Sequence, residues 1–138
     1  MAWRVERAAK AKIPFGIEAH IGSIVPRRTD ALKLVKNVPS LTLTFDATHF
    51  VYAGIAAAKI EPLLAHASHV HCRGGRKGRL QCSFACNRID YRHMVKRLAS
   101  NGYTGHICIE YVWIDWEHCN ETDNLSETIL FRDFLRNL

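Results

Sequence analysis

Four short apolar runs, each closing on a side chain that can bind a divalent cation or move a proton, constrain this chain most. They are Phe15-Gly16-Ile17-Glu18, Leu41-Thr42-Leu43-Thr44-Phe45-Asp46, His69-Val70-His71 and His106-Ile107-Cys108-Ile109-Glu110. Glu18, Asp46, His71 and Glu110 stand 28, 25 and 39 residues apart. A strand–helix–strand unit takes about 30 residues, so each interval holds one crossover, and the longest also holds a basic loop. Regular alternation of this kind specifies a parallel α/β sheet. A parallel sheet presents its chemistry at the carboxyl ends of its strands, so the four ends can converge on one point.

The intervening segments carry helix signals. Residues 1–12, with Trp3, Val5, Ala8 and Ala9, read as the tail of a helix that precedes a first strand at Ile13 to Glu18. Thr29 can cap a helix with Ala31, Leu32, Val35 and Val38 inside. Alanine-rich Val51 to Ala58 reads as helical, and Pro62 can start a short helix. Ser68 to Cys72 is the third strand. Asp90 caps the clearest helix, with Tyr91, Met94, Val95 and Leu98 at helical spacing and Gly102 as its stop. Thr104 to Tyr111 is the fourth strand. Leu125 to Leu138 is a last helix, with Ile129, Leu130, Phe134 and Leu135 expected inside.

At 138 residues there is room for one domain, residues 1–138, and for only four strands. A complete eight-unit barrel needs about 250 residues. No apolar stretch approaches the roughly 20 residues of a membrane helix, and the charged start lacks the apolar centre of a secretory signal. Five cysteines without a bridging pattern indicate reduced thiols in a cytoplasmic protein. A structural zinc site from Cys82, Cys86, His118 and Cys119 is the lesser reading, because thiol zinc sites show tighter pairs. Net charge +6 and pI near 9.3 favour an anionic ligand. Much of the excess falls in Arg73-Gly74-Gly75-Arg76-Lys77-Gly78-Arg79, either a solvated loop or one that holds a substrate.

No glycine-rich dinucleotide or phosphate-loop motif follows any strand, and no nucleophile elbow is present. Taken singly, Glu18, Asp46 and Glu110 could be caps or ion pairs, and His49, His69 and His71 hydrogen-bonded strand-end histidines. For His69 that plainer reading is preferred. His20, His66, His93, His106 and His118 are assigned to structure or surface. As an ordered set, the strand-end residues favour a metal.

Ile17-Glu18-Ala19-His20, Phe45-Asp46-Ala47-Thr48-His49-Phe50, His69-Val70-His71 and Cys108-Ile109-Glu110-Tyr111 together resemble the carboxyl-terminal half of the xylose-isomerase-like TIM-barrel superfamily. The resemblance runs from about Pro14 to Leu138 and implies units five to eight of a (β/α)₈ barrel, a half that pairs with a second copy or with a missing first half. The superfamily includes sugar-phosphate isomerases and epimerases, inosose dehydratases and apurinic endonucleases. In its epimerase branch, the resemblance implies a divalent metal (manganese, magnesium, cobalt or zinc) on Glu18, Asp46, His71 and Glu110. It implies sugar contacts from His49 and from Arg73 or Arg76.

The chemistry expected is proton transfer beside a carbonyl through a metal-stabilised enediolate, with Glu18 and Glu110 moving the proton. A sugar or sugar phosphate is the expected partner. Two alternatives are weighed against it. A half barrel could keep the ligands and be catalytically silent, associating with another chain. An endonuclease acting on nucleic acid would explain the basic charge, but it needs an Asp-x-His after the third strand, where this chain has only basic residues and glycines.

Overall fold

The computed structural model describes residues 1–138. Six α-helices and four strands alternate: α1 Ala2–Lys10, β1 Phe15–Glu18, α2 Arg28–Asn37, β2 Leu41–Asp46, α3 Ala47–Tyr52, α4 Ala57–Ile60, β3 Ala67–Cys72, α5 Tyr91–Ser100, β4 His106–Ile109 and α6 Asn124–Arg136. Three 3₁₀ turns, Glu61–His66, Phe84–Cys86 and Trp116–Glu121, complete the chain. The strands form one sheet in the order β1-β2-β3-β4, every pair parallel. Asp46 pairs with His71 and Glu18 with Thr44, which sets the carboxyl ends side by side.

Strand periodicity divides the sheet into two faces. Leu41, Leu43, Phe45, Val70 and Cys72 are buried in the core, with Ala31 and Val35 of α2, Met94 and Leu98 of α5, and Phe131 of α6. The alternate residues behave differently: Thr42, Thr44, His69 and His71 are half-buried, and Gly16, His106 and Cys108 are exposed. The helices therefore cover one face of the sheet and leave the other face polar and open.

Several boundaries differ from the sequence expectation. β1 starts at Phe15, because Ile13 donates its N–H to Ala8 O (2.9 Å) in the winding-down of α1. In α1 only Val5 is buried, and Trp3 faces solvent. Thr29 lies inside α2, whose cap is the extended backbone of Arg27. The single helix expected at Val51 to Ala58 is instead split into α3 and α4. Asp46 caps α3 at once through Thr48 N (2.7 Å), and Gly54, at φ 78°, ends that run.

The apolar face of α6 is also rotated from expectation. Phe131 is the fully buried residue, whereas Ile129 and Leu130 are exposed. Phe131 meets Phe84, Tyr91, Tyr111 and Phe134 edge-on, with centroids 5.0 to 6.2 Å apart. Aromatic edges hold this helix, Phe134 of the expected face among them, and Phe131 takes the centre in place of Ile129 and Leu130.

Candidate metal centre

Glu18, Asp46, His71 and Glu110 each offer a ligand atom, and the four atoms all lie within 4.8 Å of one another. His71 Nδ1 is central, 3.3 Å from Glu18 Oε1 and 3.2 Å from Glu110 Oε2. The two carboxylates, Glu110 first, raise the imidazole to about 10 against the drying effect of burial. Burial pushes Glu18 and Glu110 upward, but His71 beside both, with His49 at Glu18 and Arg73 at Glu110, leaves each below the ordinary value. Both glutamates are thus ionised in the physiological range.

Asp46 is almost inaccessible and its two oxygens have separate partners. Oδ1 accepts from Thr48 N (2.7 Å) and Thr48 Oγ1 (2.6 Å), and Oδ2 from Arg73 Nη2 (2.8 Å). Arg73 donates Nε–H to Thr48 Oγ1 (3.2 Å), and its Nη2 is 3.5 Å from Glu110 Oε2. Burial alone would weaken its charge, yet Asp46 and Glu110 hold it firmly protonated.

The backbone around Arg73 is equally fixed. Tyr91, wholly buried, donates its hydroxyl to Arg73 O (2.6 Å) and accepts from Arg73 N (3.1 Å). A side chain at Gly74 would overlap the Cys82 carbonyl and the Tyr111 hydroxyl, which is why glycine follows the arginine. Thus Arg73, Gly74 and Gly75 lie inside the protein, while Arg76, Lys77 and Gly78 form the exposed tip of the basic run. Arg76 bridges to Arg79 in that tip and takes no part in the cluster, and Arg79 is paired to Glu121 (2.5 Å).

His49 is buried, with Nε2 3.6 Å from Asp46 Oδ2 and 3.7 Å from Glu18 Oε1. Ile21 N–H points at its Nδ1 (3.4 Å), and Arg73 Nη2 lies 3.4 Å from its Nε2. Burial, with His20 and Arg73 nearby, lowers this ring to about 4 despite Asp46 and Glu18, so it is neutral. His20, which the sequence assigned to structure or surface, forms a second group with Glu18 and His49 and stacks on Trp116. Position two after a strand-end glutamate was the available signal for His20. Nothing in the sequence marked Trp116.

A family model, the xylose isomerase-like TIM barrel, matches residues 1–137. The chain belongs to that family. No curated protein is significantly similar to it. The four parallel β/α units of this xylose isomerase-like chain are part of such a barrel, with the acidic and imidazole groups gathered at the carboxyl ends. No helix is long and apolar enough to cross a membrane. Neither potential metal group contains a cysteine; Cys82 and Cys119 are buried free thiols and Cys86 is exposed, so no thiol site is assembled.

The donor set suits a hard divalent cation: three carboxylates and one imidazole, with a single ring nitrogen. Glu110 Oε2 is buried, and its two cationic neighbours, His71 Nδ1 (3.2 Å) and Arg73 Nη2 (3.5 Å), approach it as ion pairs without hydrogen-bond geometry, a place that a cation would fill better. Charge balance agrees. Three carboxylates facing Arg73 and protonated His71 leave one negative charge over, and a divalent ion replacing the His71 proton brings the group to neutrality.

Proposed function

We propose that this chain carries the cation-dependent proton-transfer site of a sugar or sugar-phosphate isomerase or epimerase. One observation supports the reading most: the mutual approach of Glu18, Asp46, His71 and Glu110 at neighbouring strand ends, within 4.8 Å. These residues would hold the ion. A bound divalent cation supplies positive charge beside the substrate carbonyl, where negative charge develops as the adjacent C–H is broken.

The protein's own groups have distinct roles. Glu18 and Glu110, ionised and both within reach of His71 Nδ1, are placed to remove a proton from carbon and return one. His49, a neutral ring, is placed to hydrogen-bond a substrate hydroxyl through Nε2. Arg73 cannot swing out, being bonded to Asp46 and Thr48, so it anchors the carboxylates. The exposed Arg76 and Lys77 remain available to a distal phosphate. The units correspond to five through eight of the barrel.

Metal analysis of protein purified without chelator, alongside Glu18→Gln and Glu110→Gln, tests this. About one equivalent of manganese, cobalt, magnesium or zinc in the parent and loss in both variants is expected. Ketoses incubated in D₂O should then gain deuterium beside the carbonyl. Equal metal content in all three proteins ends the reading.

A second reading, a silent half that works only with another chain, is favoured by the open polar face and the single neighbour of β1 and of β4. Parallel sheets are covered on both faces. Light scattering that finds a stable dimer, or a second copy, supports it, and a well-folded monomer that exchanges deuterium removes it.

A further inference from the structure

The segment from Val112 to Asn124 crosses the carboxyl end of the sheet and returns, and one buried side chain closes its neck. Gln81 is fully buried and touches no group of the metal cluster. Its Nε2 donates to Val112 O (3.1 Å), Cys119 O (2.7 Å) and Asn124 Oδ1 (3.0 Å), and its Oε1 accepts from Val112 N (2.9 Å). Entry and exit of the segment are therefore stapled to the same amide. Farther out, Tyr52 donates to Glu117 Oε2 (2.6 Å) and Arg79 pairs with Glu121.

Between these anchors the backbone is held in an unfavourable form. Glu117 (φ 53°) and His118 (φ 59°) are consecutive left-handed residues without being glycine. Left-handed backbone is unfavourable for residues with a side chain, so the surrounding contacts must dictate the shape. That shape delivers Trp116. Its ring lies nearly parallel to His20, 10° apart with centroids at 5.0 Å, and 6.5 Å from His49. Trp116, Val112 and Ile114 form the apolar side of a cavity of about 130 Å³ whose polar side is Glu18, Arg73 and Glu110. Trp116 keeps 39% of its surface exposed, an apolar ring open to whatever enters.

We propose that Trp116 is the specificity-determining wall of this site, taking the C–H face of a polyhydroxylated substrate whose oxygens face the cluster, and that Gln81 is the positioning residue that sets the wall. This rests on the sugar reading above. An aromatic face opposite a polar floor selects ligands that are apolar on one side and hydroxylated on the other. It disfavours uniformly charged ones.

The test uses D-fructose and xylitol with Mn²⁺-loaded protein, reading binding from paramagnetic broadening of the ligand proton lines. Mn²⁺ affinity is measured separately by electron paramagnetic resonance. Trp116→Leu should weaken both ligands about tenfold, Trp116→Phe should restore most of the loss, and Mn²⁺ affinity should stay within twofold. Being at the surface, Trp116 variants are expected to fold.

Gln81→Met should weaken the ligands similarly in the parent but add nothing in the Trp116→Leu background, a coupling that general destabilisation would not produce. Unchanged ligand affinity in Trp116→Leu, or no binding of either ligand to manganese-loaded parent, overturns the proposal. Failure to take up Mn²⁺ at all sinks the metal reading instead. The wall is then judged by whether the two ligands shield Trp116 from acrylamide in a Trp3→Phe, Trp113→Phe background: shielding upholds it, and its absence overturns it.

Discussion

Arg73 Nη2 lies 2.8 Å from Asp46 Oδ2, and both side chains are nearly inaccessible to water. The pair welds the end of β2 to the residue that follows β3. A buried pair of this kind is costly to break from one side, because the survivor keeps its charge without its partner. Arg73→Met is expected to destabilise the fold by about 3–5 kcal/mol in urea titration. Arg73→Lys should recover little, since an ammonium cannot reach Thr48 and Asp46 together. A loss below about 1 kcal/mol would show that Asp46 finds another partner.

The His71 ring predicts a pH dependence. Its folded value, about 10, lies above the ordinary 6.5. Its contribution in metal-free protein is therefore complete below pH 6.5 and lost as pH rises through about 10. Glu18 and Glu110 are depressed, so theirs is present above the ordinary 4.5 and lost as pH falls through their folded values. Melting temperature in EDTA should therefore decline on the alkaline side from near neutrality. Cation affinity should rise with pH over the same range, by about tenfold per unit, as the His71 proton is displaced. Calorimetry in two buffers of different ionisation heat counts that proton. Release of none contradicts the assignment.

Phe131→Ala should cost about 3–5 kcal/mol, the range for deleting a buried aromatic ring. Leu130→Ala, one residue earlier and exposed, should stay within about 0.5 kcal/mol. Thermal or urea denaturation separates the two, and similar losses would place α6 in a different rotation.

Tyr91→Phe removes one oxygen that serves both the N–H and the carbonyl of Arg73. With the backbone groups left unpaired in a buried place, the expected loss is about 1–3 kcal/mol. Cation affinity should fall as well, because Arg73 and Asp46 move together. Stability lost with cation affinity intact would separate the two roles.

The strand positions and the cluster were readable because each depends on local pattern. Leu41 to Phe45 alternates buried and half-buried residues as written, and Asp90 caps α5 through His93 N (2.9 Å). Arg73 was less legible. In sequence it begins a basic run, but Asp46, Thr48 and Tyr91, distant along the chain, turn it inward and separate it from Arg76. The face of α6 was misread because apolar periodicity cannot distinguish Leu130 from Phe131 without knowing that Phe84 and Tyr91 await an aromatic edge. His20 and Trp116 meet only through the folded segment Gln81 fastens, a tertiary event with no local signature.

The lateral strands of the sheet have a consequence for protection against solvent. β1 and β4 each have a neighbour on one side only, so half of their amides point to water while those of β2 and β3 are shared on both flanks. Amide hydrogens should thus exchange in a graded series, slowest along Leu43, Phe45 and Val70 and fastest on the outer rims. Any binding partner that covers those rims would announce itself by slowing the outward-pointing amides of β1 and β4 before it touched the middle of the sheet.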